Sequence, residues 1–223
     1  EFTGEGLKTL NMRDRISVCN LCVEAGAKTA LMEVDEIAMD YLHAHGREPK
    51  ACFTSDADAA FAASYDIDLS TVTPIVAKPH FVDHVCPAEE AVGIRIDEAF
   101  LGSCNNGRIE DLRVGAAIIK GKKVHPLVRF LVVPASQAVY CQALKEGLLQ
   151  IFMEAGAIVM NPNCSVCWGS CQGVIGEGET LISTGTRNFK GRAGHRNSFV
   201  YLASAATVTA SAVKGEIATA DMV

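Results

Sequence analysis

A chain of 223 residues, 49% hydrophobic and 21% charged, has the balance of an ordinary globular protein, with enough material for one large domain or two modest ones. Its net charge of −6, with no basic run to offset it, argues against nucleic acid as the main partner. No apolar stretch approaches the ~18–20 residues of a membrane span, and no signal-peptide pattern is visible, so a cytoplasmic setting is expected. The chain opens on Glu1-Phe2-Thr3-Gly4 rather than on Met, and it is expected to lack a preceding part.

Two α/β segments are expected, 1–93 and 94–223, with mixed or mostly parallel sheets flanked by helices. The join is placed at the turn-rich stretch around Pro74, Pro79 and Pro87. In the first segment, residues 11–27 have a helical pattern, 29–33 suggest a short strand, and 35–45 a second helix stopped by Gly46. Residues 72–77 look extended, and Pro74 suggests an edge strand. The second segment alternates. A strand at 94–101 is followed by Gly102-Ser103-Cys104-Asn105-Asn106-Gly107-Arg108 and a helix to about 120. Residues 128–133 are β-branched and apolar, Pro134 stops them, and a helix starts near Ser136. Further strands are expected at 156–160 and 180–183. Strand–helix alternation of this kind makes parallel sheets.

Nine cysteines, with no sign of secretion, read as reduced thiols, and clustered thiols suggest metal. Cys164 and Cys167 form a C-x-x-C just past one expected strand, and Cys104 lies just past another. Ligands collect at that edge of an open α/β sheet, so loops 60 positions apart could converge. Taken alone, the C-x-x-C would suit half a zinc site, a redox dithiol or a cluster. Three thiolates would leave one iron of a 4Fe–4S cluster open as a Lewis acid, much as catalytic zinc keeps one position free. Cys171 is a possible fourth ligand or a spectator. Cys19 and Cys22 read as core thiols within a helix, and Cys52, Cys86 and Cys141 as structural. His80 and His84 have zinc-compatible spacing, but Pro79 and Pro87 leave little room for a helix.

Arg187 and Arg192 lie five apart in a Gly-containing loop. Guanidinium forks grip carboxylates bidentately, so the pair suits a polycarboxylate. In the first helix, Arg13, Ser17, Asn20 and Glu24 form one polar stripe on an otherwise apolar helix. Such a stripe either faces a cleft, with Asn20 and Glu24 its best candidates, or forms one solvated edge.

These motifs together resemble the aconitase superfamily. Gly102-Ser103-Cys104-Asn105-Asn106-Gly107-Arg108 resembles its first cysteine box, and Asn163-Cys164-Ser165-Val166-Cys167-Trp168-Gly169 its second. Arg187-Asn188-Phe189-Lys190-Gly191-Arg192 resembles its arginine box, and Asn20-Leu21-Cys22-Val23-Glu24-Ala25-Gly26-Ala27 its N-M-x-x-E-x-G-A helix. Within the superfamily the pattern is nearest the large subunits of the isopropylmalate dehydratase and homoaconitase type, which are about twice as long. The resemblance implies a hydro-lyase that dehydrates and rehydrates a hydroxy di- or tricarboxylate, in leucine or related amino-acid biosynthesis. Cys104, Cys164 and Cys167 would hold a 4Fe–4S cluster, Arg187 and Arg192 would hold substrate carboxylates, and Glu24 and Asn20 would act near the iron. The proton-abstracting serine would come from a separate small subunit, and the acid-side His and Asp groups from an absent N-terminal domain, so this chain alone is expected to be inactive. Asn105 stands where the family has Thr, and Thr186 where it has Asn, which leaves dimethylmalate- or citramalate-type substrates open. A cluster sensor whose apo form binds RNA, and a structural zinc domain, are the competing classes.

Overall fold

The computed structural model describes all 223 residues, which divide into two compact units, Glu1–Val72 and Thr73–Val223. Residues 73–93, assigned to the first segment on their prolines, therefore sit with the second unit, because their strands join its sheet.

The first unit holds two short helices, α1 (Met12–Leu21) and α2 (Glu36–Ala44). Asn11 caps α1 and Asp35 caps α2, each accepting a backbone N–H three residues on. The expected strand at 29–33 reduces to a single bridge, Phe2 to Met32. α1 is also less buried than its apolar residues suggest: Leu21 at its end is exposed, as is Val23 just beyond it, and its one buried residue is Arg15. Arg15 organises the unit. Its guanidinium forks onto Asp35 at 2.8 and 2.6 Å and donates to the carbonyls of Leu10 and Leu7. Arg15 holds the Asp35 carboxyl below the usual range, against a smaller cost of burial. Removing one partner of a buried pair strands the other. Arg15→Ala is expected to destabilise this unit by about 3 kcal/mol, read from the urea midpoint of a probe placed in residues 1–72.

The second unit is built on a seven-stranded mixed sheet in the order β2-β1-β7-β6-β3-β4-β5. The strands are β1 (Ile75–Ala77), β2 (Val85–Pro87), β3 (Glu98–Gly102), β4 (Arg129–Val133), β5 (Ile158–Val159), β6 (Thr180–Ser183) and β7 (Phe199–Leu202). From β7 to β5 all neighbours run parallel, and β1 and β2 are antiparallel additions. β2, not β1, is the edge. Pro74 lies just before β1, and its carbonyl accepts the N–H of Ala88, so the ring costs the ladder nothing.

The buried strands read as continuous apolar runs because both faces are covered. Alternate residues face opposite sides. Ala99, Leu101, Phe130, Val132 and Ile182 pack in one core with residues of α4 (Ile109–Ile119), α6 (Leu148–Ala155) and α7 (Ala205–Lys214). Phe100, Leu131, Val133, Leu181 and Val200 form a second core on the other face, capped by loop residues Val166, Ile175 and Ala193. Helices thus cover one face, and the loops that carry the candidate site cover the other.

The helix beginning near Ser136 is two helices, α5 (Gln137–Lys145) and α6, parted by Gly147 in the left-handed conformation (φ 75°). β7 and α7 carried no expectation. α7 has a legible cap at Ser204, but its Ala, Thr and Ser residues gave it no amphipathic contrast. It is nonetheless deeply buried. Thr209 and Ser211 satisfy their hydroxyls on carbonyls one turn back, and Ser211 also accepts the N–H of Ala218.

Glu98, at the start of β3, is fully buried. Arg129 donates to one of its oxygens at 2.9 Å while clamping Glu179 with both terminal nitrogens, and the other Glu98 oxygen has no partner. Burial pushes the Glu98 carboxyl up to about 7 from 4.5, despite the pull of Arg129. A carboxyl with a raised folded pKa favours the native state while protonated. That contribution is complete below pH about 4.5 and is lost as the pH rises to about 7. Urea midpoints are therefore expected to fall by roughly 3 kcal/mol equivalent across this window, at ~1.4 kcal/mol per pKa unit, and Glu98→Gln is expected to flatten the slope.

Candidate cluster and carboxylate site

Because β3 to β6 run parallel, Cys104, Cys164 and the Arg187 loop all leave the sheet at its carboxyl edge. Cys104 sits in a single helical turn, α3 (Ser103–Asn106), and is exposed. The turn is pressed onto β4: a Cβ on Gly107 would lie 2.3 Å from the Val133 carbonyl oxygen. It is also stitched to the loop after β6. The Gly102 N–H donates to Thr184 Oγ1 at 2.9 Å, and Asn106 Nδ2 donates to the Thr184 carbonyl. Asn106 thus has a positioning task that its place in the cysteine box did not announce.

Cys164 is exposed and Cys167 half-buried, on a 3-10 turn at Ser165–Cys167. Ser165 is fully buried and donates to the Gln172 carbonyl at 2.7 Å, closing the turn. Ser103 (φ 73°) and Ser165 (φ 45°) are the two non-glycine residues of the chain with positive φ. Each adjoins one of these cysteines. The left-handed conformation costs an L-residue roughly 1–2 kcal/mol, and such strain gathers at sites of function.

The C-x-x-C turn touches the arginine loop directly. Gly169 has φ 74°, and a Cβ there would lie 2.1 Å from the Arg192 carbonyl oxygen. Arg192 is half-buried, with its guanidinium carbon 5.8 Å from the Trp168 ring centre and 5.4 Å from that of Phe189. Its Nε is buried without a partner. Arg187 is half-buried and donates to Thr186 Oγ1 at 2.6 Å. Between them Asn188 is fully buried, its Nδ2 within reach of the carbonyls of Lys78 (2.9 Å), Phe81 (3.2 Å) and Val200 (3.4 Å). It anchors the loop to the sheet through that amide nitrogen. Asn188→Ala removes this buried donor, although the Phe81 carbonyl still accepts the N–H of His84. The substitution is expected to cost about 2–3 kcal/mol in urea denaturation and to loosen the loop.

Asn20 and Glu24 lie in the first unit. Asn20 is half-buried near the end of α1, which stops at Leu21 rather than running to residue 27 as expected, so Glu24 is exposed in the turn that follows. The remaining cysteines divide. Cys86 is buried, Cys19 and Cys22 are half-buried rather than core, and Cys52, Cys141 and Cys171 are exposed. His80 and His84 lie in the turns between β1 and β2, with His80 stacked on Phe199 at 5.9 Å.

All nine thiols are free. No three His, Cys, Asp or Glu side chains are gathered closely enough to hold a metal ion. The donor chemistry nevertheless fits an iron–sulfur cluster: three free thiols stand at one sheet edge, on two turns that are each bent through a left-handed serine. No helix is long and apolar enough to cross a membrane.

A mostly parallel sheet with cysteine turns and an arginine loop at its carboxyl edge is matched by a family model: the aconitase family (aconitate hydratase) aligns with residues 1–93 and 87–215, and the chain belongs to that family. Among curated relatives, the 3-isopropylmalate dehydratase large subunit of Aquifex aeolicus (strain VF5) is 48% identical over 100% of this chain and 53% of its own length. That of Caldicellulosiruptor saccharolyticus is 48% identical over 97% of the chain and 51% of its own length, and that of Clostridium kluyveri 45% identical over 100% and 53%. The chain spans about half the length of the curated relatives it matches.

Proposed function

We propose that this chain supplies the cluster-holding part of a 3-isopropylmalate dehydratase-type hydro-lyase. The observation that carries the reading is the pair of strained serines, each beside a cysteine, at one sheet edge and next to an arginine loop. The relatives' names favour isopropylmalate over dimethylmalate- or citramalate-type substrates, and the words "large subunit" favour a separate small subunit as partner.

Cys104, Cys164 and Cys167 would hold a 4Fe–4S cluster, which when bound supplies an open iron as a Lewis acid. Around it this chain's residues bind and orient. Arg187 and Arg192 take the substrate carboxylates as bidentate partners. Thr186 receives a hydrogen bond from Arg187 and so fixes that guanidinium. Asn106 and Thr184 hold the Cys104 turn in register with the arginine loop. Asn20 and Glu24 are assigned, on the resemblance of their box, to the hydroxyl that leaves. The proton-abstracting base is proposed to come from the small subunit.

The test is anaerobic iron and sulfide loading of the full-length large subunit, of which this chain spans about half, together with its small subunit. Iron content and a broad visible absorbance are expected, followed by hydration of unsaturated diacids in an assay panel. A protein that stays colourless, or that retains zinc instead, would sink the proposal.

A further inference from the structure

Arg192 is held in an unusual way for a carboxylate-binding arginine. No hydrogen bond or salt bridge to a protein acidic group fixes its guanidinium. Two aromatic rings lie near it instead, Trp168 at 5.8 Å and Phe189 at 5.4 Å, and its buried Nε has no partner. Both rings are half or more exposed, 62% for Trp168 and 50% for Phe189, so neither is there to fill the core. Trp168 directly follows Cys167, and Gly169 brings that turn against the Arg192 backbone.

We propose that Trp168 and Phe189 are positioning residues for substrate binding. Together they grip the Arg192 guanidinium by its π-faces and leave its in-plane N–H edge free for a carboxylate. The chemistry follows from the geometry of the ion. A guanidinium offers its faces to aromatic quadrupoles and its edge to acceptors, and the two uses do not compete. A protein carboxylate in the same role would occupy the edge and neutralise the charge. An aromatic grip holds the side chain still while keeping both available, which reduces the ordering cost when substrate arrives. The same arrangement ties the carboxylate-binding group to the cysteine turn, because Trp168 is carried by the C-x-x-C segment. The inference rests on Arg192 binding a carboxylate, as proposed above.

Trp168 is the only tryptophan of this chain, so its emission reports on the site directly. The experiment titrates 3-isopropylmalate into the complete protein and follows that emission, using Trp168→Phe to subtract any partner signal. Steady-state KM and kcat are measured alongside. Trp168→Ala is expected to raise KM about tenfold, equivalent to ~1.4 kcal/mol, with kcat within about twofold. Trp168→Phe, which keeps a ring, is expected to restore KM to within about threefold, and Phe189→Ala to reproduce the alanine effect in part. Arg192→Ala is expected to abolish the emission change. If Arg192→Ala loses binding while Trp168→Ala and Phe189→Ala keep the parental KM, the aromatic grip is overturned and the carboxylate reading stands. If Arg192→Ala binds as tightly as the parent, the carboxylate reading fails and the inference goes with it. Since Trp168 is largely exposed, its replacement is expected to leave the urea midpoint unchanged, and Phe189→Ala provides a second test at a residue that the cysteine turn does not carry.

Discussion

Replacing Cys164 with Ala is expected to remove the brown colour and reduce bound iron to background after anaerobic loading, while leaving the fold intact. Cys164 is exposed, so its truncation opens no cavity and should leave the urea midpoint within about 0.5 kcal/mol of the parent. The effect is expected to be large because Cys164 is one of the three thiolates proposed to hold the cluster. With it lost, the proposed set is reduced to Cys104 on the far turn and Cys167, too few thiolates to retain a four-iron core. Cys104→Ala and Cys167→Ala are expected to behave alike. Cys141→Ala, on exposed α5, is the control and should keep full colour. Cys171→Ala separates the two readings of that residue: retained colour makes it a spectator, and lost colour makes it a ligand. Iron and acid-labile sulfide per chain, measured in parallel with visible absorbance, decide each case.

The second large effect is expected at Gly169. Two separate obstacles meet an added methyl group there. The backbone sits at φ 74°, where an L-side chain costs roughly 1–2 kcal/mol, and the new Cβ would fall 2.1 Å from the Arg192 carbonyl oxygen. That oxygen is main chain, so it cannot swing aside. The C-x-x-C turn and the arginine loop must separate instead, at an overpacking cost of about 1–3 kcal/mol. Gly169→Ala is therefore expected to lose about 3–4 kcal/mol of stability in urea, and to lose colour and carboxylate binding together. A variant that folds as stably as the parent, or that loses only one of the two functions, would contradict the contact between the loops. Gly121→Ala, also at positive φ (77°) but with open space around it, is the strain-only comparison.

The candidate site was largely legible because its signals are local and chemical. A C-x-x-C, a distant cysteine and a pair of arginines each follow a strand whose apolar, β-branched composition stands out, and parallel pairing then sends them to one edge. The supports of the site were not legible. Asn106, Thr184 and Asn188 act across 78 to 110 positions of sequence, and a polar side chain gives no hint of which distant carbonyl it will meet. Trp168 and Phe189 carried no signal beyond their place in the boxes. In the fold, the strands from β3 to β6 were anticipated by composition, whereas α7 was not. A helix buried on nearly every side has no polar face to set its period, and α7 is made of small residues of middling hydropathy. α1 failed in the opposite sense. Its apolar residues suggested deep burial, yet the unit it belongs to organises around the Arg15–Asp35 pair. The Cys19-x-x-Cys22 pair, read as core thiols, is correspondingly half-exposed.

The order of strands in the sheet also has a consequence for how the protein is made. Ala77 of β1 pairs with Leu202 of β7, roughly 125 residues later, and β3 waits for β6 across about 80. A ribosome working at ~5–20 residues per second leaves the β7 side of β1 unpaired for on the order of 10 s, although β2 follows at once on its other side. Throughout that interval the nascent chain presents apolar strands with unpaired main-chain groups, the surface on which chains associate wrongly. Recovery of soluble protein should therefore depend more steeply on synthesis temperature and chaperone supply than its finished, well-covered sheet would suggest.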